Sequence, residues 1–346
     1  MSAGLETLIV DSYARLCAAR LDPRAHEQAG QDMQALWNEV EALGLPGLLT
    51  DYDGELERPE PTALAIAQAT GYHCVPLPVV ENMLARALLR QAGLEAPAGM
   101  LALGIVRDAE LVETAGQAPL LQGHATVPWA RHASHLVLAV QARQGEHVLL
   151  LAANAPGLAI EHRHNLAHEP RDRLRFEGVQ CLAQAALADC VEATSLETAR
   201  YRAALMTGAA ESALDMTVAY VNARSQFGKP LGKFQAVQQS LAVFAGEVTS
   251  ALSACSLAFA TSAPDWRTIA IAKMRADVAA SVGCNAAHQA HGAIGVTAEY
   301  PLHLRTRRLW SWRTEDGSGA SWARRLGRDF IAHGADALWP AVTGLR

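Results

Sequence analysis

The amino-acid sequence predicts a mainly α-helical protein with a small β domain in the middle of the chain. Apolar residues recur at helical spacing up to about residue 98, and between 99 and 190 they form short runs separated by turns. From residue 191 onward, long alanine- and leucine-rich segments return. We therefore expect an N-terminal helical domain over 1–98, a middle β domain over 99–190 and a C-terminal four-helix bundle over 191–346.

The N-terminal segment contains two predicted helices. Leu36, Trp37, Val40 and Leu43 share one helical face, and the Gly-Leu-Pro sequence at 44–46 predicts the end of that helix. The proline-containing segment 74–78 breaks the pattern, and a second helix is predicted through 83–89.

The middle segment has the turns and the alternation of β structure. The apolar runs 135–140 and 148–152 flank Arg143–Glu146, which predicts a hairpin loop. The segment 174–179 alternates between apolar and polar residues, as a strand with one buried face does.

The C-terminal segment predicts three long helices. The first ends at Gly228 and Pro230, and the others run over about 235–260 and 266–292. Weakly charged, alanine-rich helices usually pack on more than one side, so we expect the bundle also to form a subunit interface.

Composition argues against several classes of function. A formal net charge of −6 disfavours a nucleic-acid surface, which needs clustered lysines and arginines. The six cysteines form no CxxC pair, so we expect reduced thiols in a cytoplasmic protein. The histidines lack a metal-ligand pattern, and no metal is predicted. No basic leader is visible, and we expect no apolar run long enough to span a membrane.

Two motifs in the C-terminal half carry candidate binding residues. In Ala223–Gln238, Arg224 offers a rigid fork of donors suited to a pyrophosphate, and Phe227 offers a ring that can pack on a flat cofactor. In Gln289–Pro301, the glutamine offers a two-sided amide, and Gly292 allows close backbone approach to a ligand. Each residue alone is also compatible with a solvated helix end, so the interpretation depends on the pair of motifs.

The order and spacing of these motifs resemble the acyl-CoA dehydrogenase family. The resemblance implies that family's fold, FAD as cofactor, an acyl-CoA substrate and an electron-transfer flavoprotein or similar acceptor. It also implies a homo- or hetero-oligomer of two or four chains, in which the motif residues reach FAD across a subunit interface. The FAD-contacting set implied in this sequence is Arg224, Gln226, Phe227, Gln235, Gln289, Gly292 and Ser318.

The resemblance implies α,β-dehydrogenation of an acyl-CoA thioester, with hydride transfer to flavin N5 and a carboxylate that takes the α proton. Such a base needs an apolar slot that raises its pKa. A gap-free alignment from Gln289 places the base at Asp316, and Glu315 is its neighbour. Alternatively, Asp316 or Ser318 caps the following helix.

Two departures from the family pattern weaken a self-sufficient active site. The flavin-contacting strand-loop motif expected within 100–128 is missing or shortened, and an aspartate stands at the expected glutamate position. The supporting-subunit hypothesis therefore stands beside the catalytic one: this chain would complete the FAD site of a partner chain. Oxidation or hydroxylation of a substrate without CoA is a third hypothesis.

The basic run Arg305–Arg308 predicts an interface or a phosphate contact.

Overall fold

The computed structural model describes residues 2–21, 33–50, 56, 58–112 and 118–343. Its described part contains helices, then a sheet, then helices again, and this confirms the predicted fold class. The helices are α1 (Ser2–Arg20), α2 (Met33–Ala42), α3 (Pro59–Tyr72), α4 (Val79–Gln91), α5 (Cys190–Ala223), α6 (Gln235–Ala258), α7 (Trp266–His291), α8 (Leu302–Trp312), α9 (Gly319–His333) and α10 (Ala335–Thr343).

Nine strands lie within the described residues. They are β1 (Leu101–Val112), β2 (Leu120–Pro128), β3 (His135–Ala142), β4 (Gly145–Ala152), β5 (Leu158–Glu161), β6 (Arg171–Gln180), β7 (Ala183–Ala186), β8 (Ser225–Gln226) and β9 (Lys229–Pro230). The predicted helices, the hairpin and the strand over 174–179 correspond to these elements, with one correction: α5 ends at Ala223, before the predicted end at Gly228 and Pro230, and the β8–β9 hairpin follows it. The domain boundaries at 98/99 and 190/191 stay a prediction.

The middle sheet has the strand order β5-β6-β2-β1-β3-β4-β7. Strands β1 and β3 pair in parallel, and the other pairs in this sheet are antiparallel. The β3–β4 hairpin pairs Val140 with His147, in agreement with the loop predicted between them. Side chains such as Leu138, Leu149 and Phe176 form a core that belongs to the β domain.

A larger core joins the N-terminal helices to the bundle, and it includes Trp37, Tyr201 and Phe244. Helices α3 and α5 approach so closely that a Cβ atom at Gly208 would lie 1.9 Å from the carbonyl oxygen of Gln68. Only glycine allows this contact. The contact fixes α5 against the N-terminal helices, and α5 carries charged residues of the candidate site.

Helix α6 differs from expectation. It is long and apolar enough to cross a membrane by length and composition alone, so the expectation that no segment has these properties is wrong for α6. This is weak evidence for a membrane, since core helices of soluble proteins pass the same test. Its Val243 and Leu257 side chains are more than half exposed. The six cysteines are free and buried, as expected.

Candidate functional site

The predicted acids lie in a short turn between α8 and α9, residues 313–318, which we call the acid loop. Lys273 of α7 is fully buried and donates hydrogen bonds to the backbone oxygens of Trp312 (2.9 Å) and Arg313 (3.2 Å). A cation at the last carbonyls of α8 stabilises that helix end. Asp316 has a positive φ of 55°, which is uncommon for a residue with a side chain. The acid loop is therefore held in one defined backbone conformation.

Glu315 is held by basic and amide groups. Its Oε2 atom lies 2.7 Å from Arg171 and 3.5 Å from Arg202, and its Oε1 atom accepts a hydrogen bond from Asn165 at 2.9 Å. Burial alone would raise the pKa of Glu315, but the positive charges of Arg202 and Arg171 outweigh burial and hold it at about 2. The raised pKa that a general base needs is therefore not found at Glu315.

Arg202 interacts with three acids: Glu315, Asp316 and Glu81 of α4. Arg202 donates a hydrogen bond from Nε to Asp316 Oδ2 at 2.9 Å, and its Nη2 atom lies 3.6 Å from Glu81 Oε1. Burial raises the pKa of Glu81, although the charges of Arg202 and Arg171 oppose that rise. Glu81 thus has the pKa shift expected of a base, at a position that the motifs did not indicate.

The ion-pair network extends into the β domain through Glu169. This buried carboxylate lies 3.1 Å from both Arg171 and Arg308, and it accepts a hydrogen bond from Trp312 Nε1 at 2.8 Å. The predicted role of Arg305–Arg308 is therefore corrected: Arg305 and Arg308 are buried and bind partners inside the chain. We use "ion-pair network" below for Glu81, Glu169, Arg171, Arg202, Arg308, Glu315 and Asp316.

A cavity of about 260 Å³ lies beside this network, where α4, α5, the β domain and the acid loop meet. Its volume is below the roughly 300–1,000 Å³ of ordinary ligand pockets. Charged side chains form one wall, and Leu103, Ile105 and Pro128 contribute apolar surface. The cavity is therefore small, and most of its charges are already paired.

The two predicted binding motifs meet at the opposite end of α5, which we call the motif end (224–238 and 289–301). Tyr220 stacks on His291 with ring centroids 4.3 Å apart, and this contact joins the end of α5 to the end of α7. Arg224 follows α5 directly, and Phe227 forms the tip of the β8–β9 hairpin, where it is 89% exposed. Gln289 is also exposed.

The structure therefore separates the predicted residues into two groups. Glu315, Asp316 and Ser318 share the acid loop, and the Ser318 hydroxyl caps α9 by accepting from Ser321 N. Arg224, Gln226, Phe227, Gln235, Gln289 and Gly292 are exposed at the motif end. Within the described part of the chain, no ion pair or side-chain hydrogen bond involves Arg224 or Gln289.

Sequence reasoning missed Glu81, Arg171, Arg202 and Lys273. The sequence contained a signal for Glu81 and Arg202, because each is a charged residue that interrupts an otherwise apolar helical face. Glu81 lies three and seven residues before Leu84 and Leu88, and Arg202 lies three residues before Leu205. Such positions are buried in this fold, and a buried charge needs a partner.

Comparisons with known proteins agree with this architecture. Residues 190–330 match the family model "Acyl-CoA dehydrogenase, C-terminal domain". Acyl-CoA dehydrogenase IpdE2 of Mycobacterium tuberculosis is 39% identical over 106 residues, 31% of this chain and 33% of that protein. Residues 190–330 therefore belong to the C-terminal domain of the acyl-CoA dehydrogenase family. The match to IpdE2 spans about a third of that relative's length.

Solved structures share the fold over nearly the whole chain. The ChsE4-ChsE5 complex from Mycobacterium tuberculosis has a TM-score of 0.82 at 21% identity, covering 94% of this chain and 96% of the other. A glutaryl-CoA dehydrogenase from Mycobacterium smegmatis, solved in complex with FADH2, has a TM-score of 0.80 at 19% identity, covering 94% of each chain. Sequence identities this low show the fold alone.

The two regions differ in how well they fit FAD. The cavity beside the ion-pair network is small for a dinucleotide, and its arginines already bind carboxylates, so it does not fit one. The motif end fits better, because Arg224 offers free donors for a pyrophosphate and Phe227 offers an exposed ring. These outward-facing groups suit a flavin held mainly by another chain.

Proposed function

We propose that this chain is a supporting subunit of a heteromeric acyl-CoA dehydrogenase, a flavin-dependent oxidoreductase. It would complete the FAD site of a homologous partner chain without supplying the base. The observation that carries the proposal is the pairing of Glu315 with Arg171 and Arg202, which lowers its pKa to about 2. A base for an α proton needs a pKa near the operating pH.

The motif end supports the same proposal. Arg224 would donate to the FAD pyrophosphate of the partner chain, Gln289 would hydrogen-bond the adenosine part, and Phe227 would exclude water from the bound cofactor. The chemistry that FAD supplies when bound is acceptance of a hydride from the β carbon of the acyl-CoA substrate. A heteromeric assembly has a parallel in the fold neighbour solved as the ChsE4-ChsE5 complex.

A second candidate is dehydrogenation by this chain itself. It is favoured by Asp316 and Glu81, which both line the cavity beside the network. Burial raises the pKa of Glu81 in the direction that a base requires. In this case the network would have to open so that substrate and flavin could enter.

Turnover of acyl-CoA substrates by the complex with its natural partner distinguishes the candidates. We would replace Asp316 by Asn, Glu315 by Gln and Glu81 by Gln in this chain alone, and measure flavin content in parallel. A supporting role predicts that no substitution lowers turnover per bound flavin by more than a few-fold. A loss of about 10²–10⁴ with flavin content unchanged would assign the base to this chain.

A further inference from the structure

The segment 162–170 joins β5 to β6 beside the acid loop, and we call it the latch loop. It contains three exposed histidines, His162, His164 and His168. A bridge between His164 and Pro170 brings its two ends together. The proposed function uses none of these histidines, although the latch loop contacts the ion-pair network.

On one side, the latch loop is bound to the acid loop and to α8. The side-chain amide of Asn165 donates hydrogen bonds to Glu315 Oε1 and to Glu169 Oε2, both at 2.9 Å. The backbone oxygen of Leu166 accepts a hydrogen bond from Arg307 of α8 at 2.9 Å. The position of the latch loop therefore decides whether the two carboxylates keep the Asn165 amide.

On its other side, the latch loop is bound to Arg131, which lies between β2 and β3. Arg131 donates hydrogen bonds to the buried carboxylate of Asp172 at 2.8 Å and to the backbone oxygen of Arg163 at 2.7 Å. A third hydrogen bond joins Arg131 Nη1 to His164 Nε2 at 3.1 Å. A guanidinium has donors only, so His164 Nε2 accepts this bond and the ring is neutral, with its proton on Nδ1.

Protonation of His164 would reverse the role of its Nε2 atom. Arg131 and His164 would then face each other with two donors and two positive charges. His162 and His168 also face His164, and each adds positive charge when it is protonated. Asp172 attracts a protonated His164, but its carboxylate already binds Arg131. Burial, although slight, and then the charge of Arg131 lower the pKa of His164, in agreement with a neutral ring.

We propose that the latch loop is a pH-sensitive cover of the acid loop: neutral His164 holds it closed on Arg131, and protonation of His164 releases it. The contact is complete above about pH 6.5, where free histidine is neutral, and is lost as the pH falls below that value. Release withdraws the Asn165 amide from Glu315 and opens the acid loop to water. The proposal goes beyond the supporting-subunit function and does not require this chain to be catalytic.

Amide hydrogen exchange, measured by mass spectrometry, tests the release on the full chain in the assembly in which it is purified. Exchange rates at pH 7.5 and pH 5.5 are compared after correction for the intrinsic effect of pH, so that they report opening of the backbone. We expect exchange over 165–169 to be at least tenfold faster at pH 5.5, and exchange over 174–179 of β6 to change less than twofold. A change of less than twofold in the latch loop, or an equal change in β6, would overturn the proposal.

Two substitutions at His164 and one matched control assign the release to this side chain. His164→Gln keeps an acceptor for Arg131 and does not titrate, so exchange should stay slow at both pH values. His164→Leu removes the acceptor, so exchange should be fast already at pH 7.5. His162→Gln, at a neighbouring exposed histidine, should keep the tenfold acceleration. Acceleration of His164→Gln as large as that of the wild type, or slow exchange of His164→Leu at pH 7.5, would contradict the assignment and overturn the proposal.

Discussion

Arg202 in α5 and Arg224, which directly follows the last residue of α5, are about six helical turns apart and lie in opposite environments. Arg202 is buried, and Glu81, Glu315 and Asp316 surround it. Arg224 is exposed, and no ion pair involves it in the described part of the chain. The charge of Arg202 is therefore paired with carboxylates inside the chain, whereas the charge of Arg224 faces outward. Under the proposed function, the acid loop is a structural centre and the motif end binds another molecule.

The largest effect on the free energy of unfolding is expected from breaking the ion-pair network. Arg171→Met would leave Glu169 and Glu315 without a shared partner, and removing one member of a buried ion pair typically costs about 3–5 kcal/mol. Urea unfolding followed by tryptophan fluorescence measures this loss. Arg175→Met is the matched control, because the side chains of Arg175 and Glu177 are mostly exposed and should contribute less than about 1 kcal/mol. Equal losses in both variants would contradict the structural role assigned to the ion-pair network.

A second effect concerns pH. The folded-state pKa of Glu315 is lowered from 4.5 to about 2, so its ionised form stabilises the fold. This contribution is fully present above about pH 5 and is lost as the pH falls toward 2; for a shift of this size it amounts to about 3 kcal/mol. We therefore expect the stability difference between the wild type and Glu315→Gln to shrink with falling pH. A difference that stays constant from pH 6 to pH 3 would show that Glu315 is not held in this way.

The sequence predicted the fold well because its signals are local. Helical spacing around Trp37, the turn between β3 and β4, and the glycine and proline after α5 each depend on neighbouring residues. Of the alternatives for the acid loop, the one in which Asp316 or Ser318 caps the following helix is confirmed for Ser318. Motif resemblance located the exposed residues of the motif end.

The ion-pair network was not predictable in the same way. Arg171 is 144 residues away from Glu315 in the chain, and Arg202 is 114 residues away from Asp316. Periodicity indicates that Glu81 and Arg202 point inward, but it does not identify their partners. The lowered pKa of Glu315 results from this long-range pairing, so reasoning from an isolated loop predicted the opposite direction.

A smaller effect is expected at the motif end. Arg224→Ala should leave the unfolding free energy within about 0.5 kcal/mol, because the side chain is exposed. Loss of one charge-assisted hydrogen bond, worth about 1.5–3 kcal/mol, should weaken FAD binding by the assembled complex by about 10- to 100-fold. Equilibrium dialysis against FAD measures this, with Arg175→Ala as the control for loss of an exposed arginine. Unchanged affinity would remove Arg224 from the flavin site.

The most direct test of the supporting role is the flavin content of this chain with and without its partner. The chain purified alone and incubated with excess FAD should stay colourless after gel filtration. The complex purified from the native host should contain a second, homologous chain and one FAD for each pair of chains, measured from flavin absorbance and protein concentration. One tightly bound FAD per chain in a homo-oligomer of this protein alone would contradict the account.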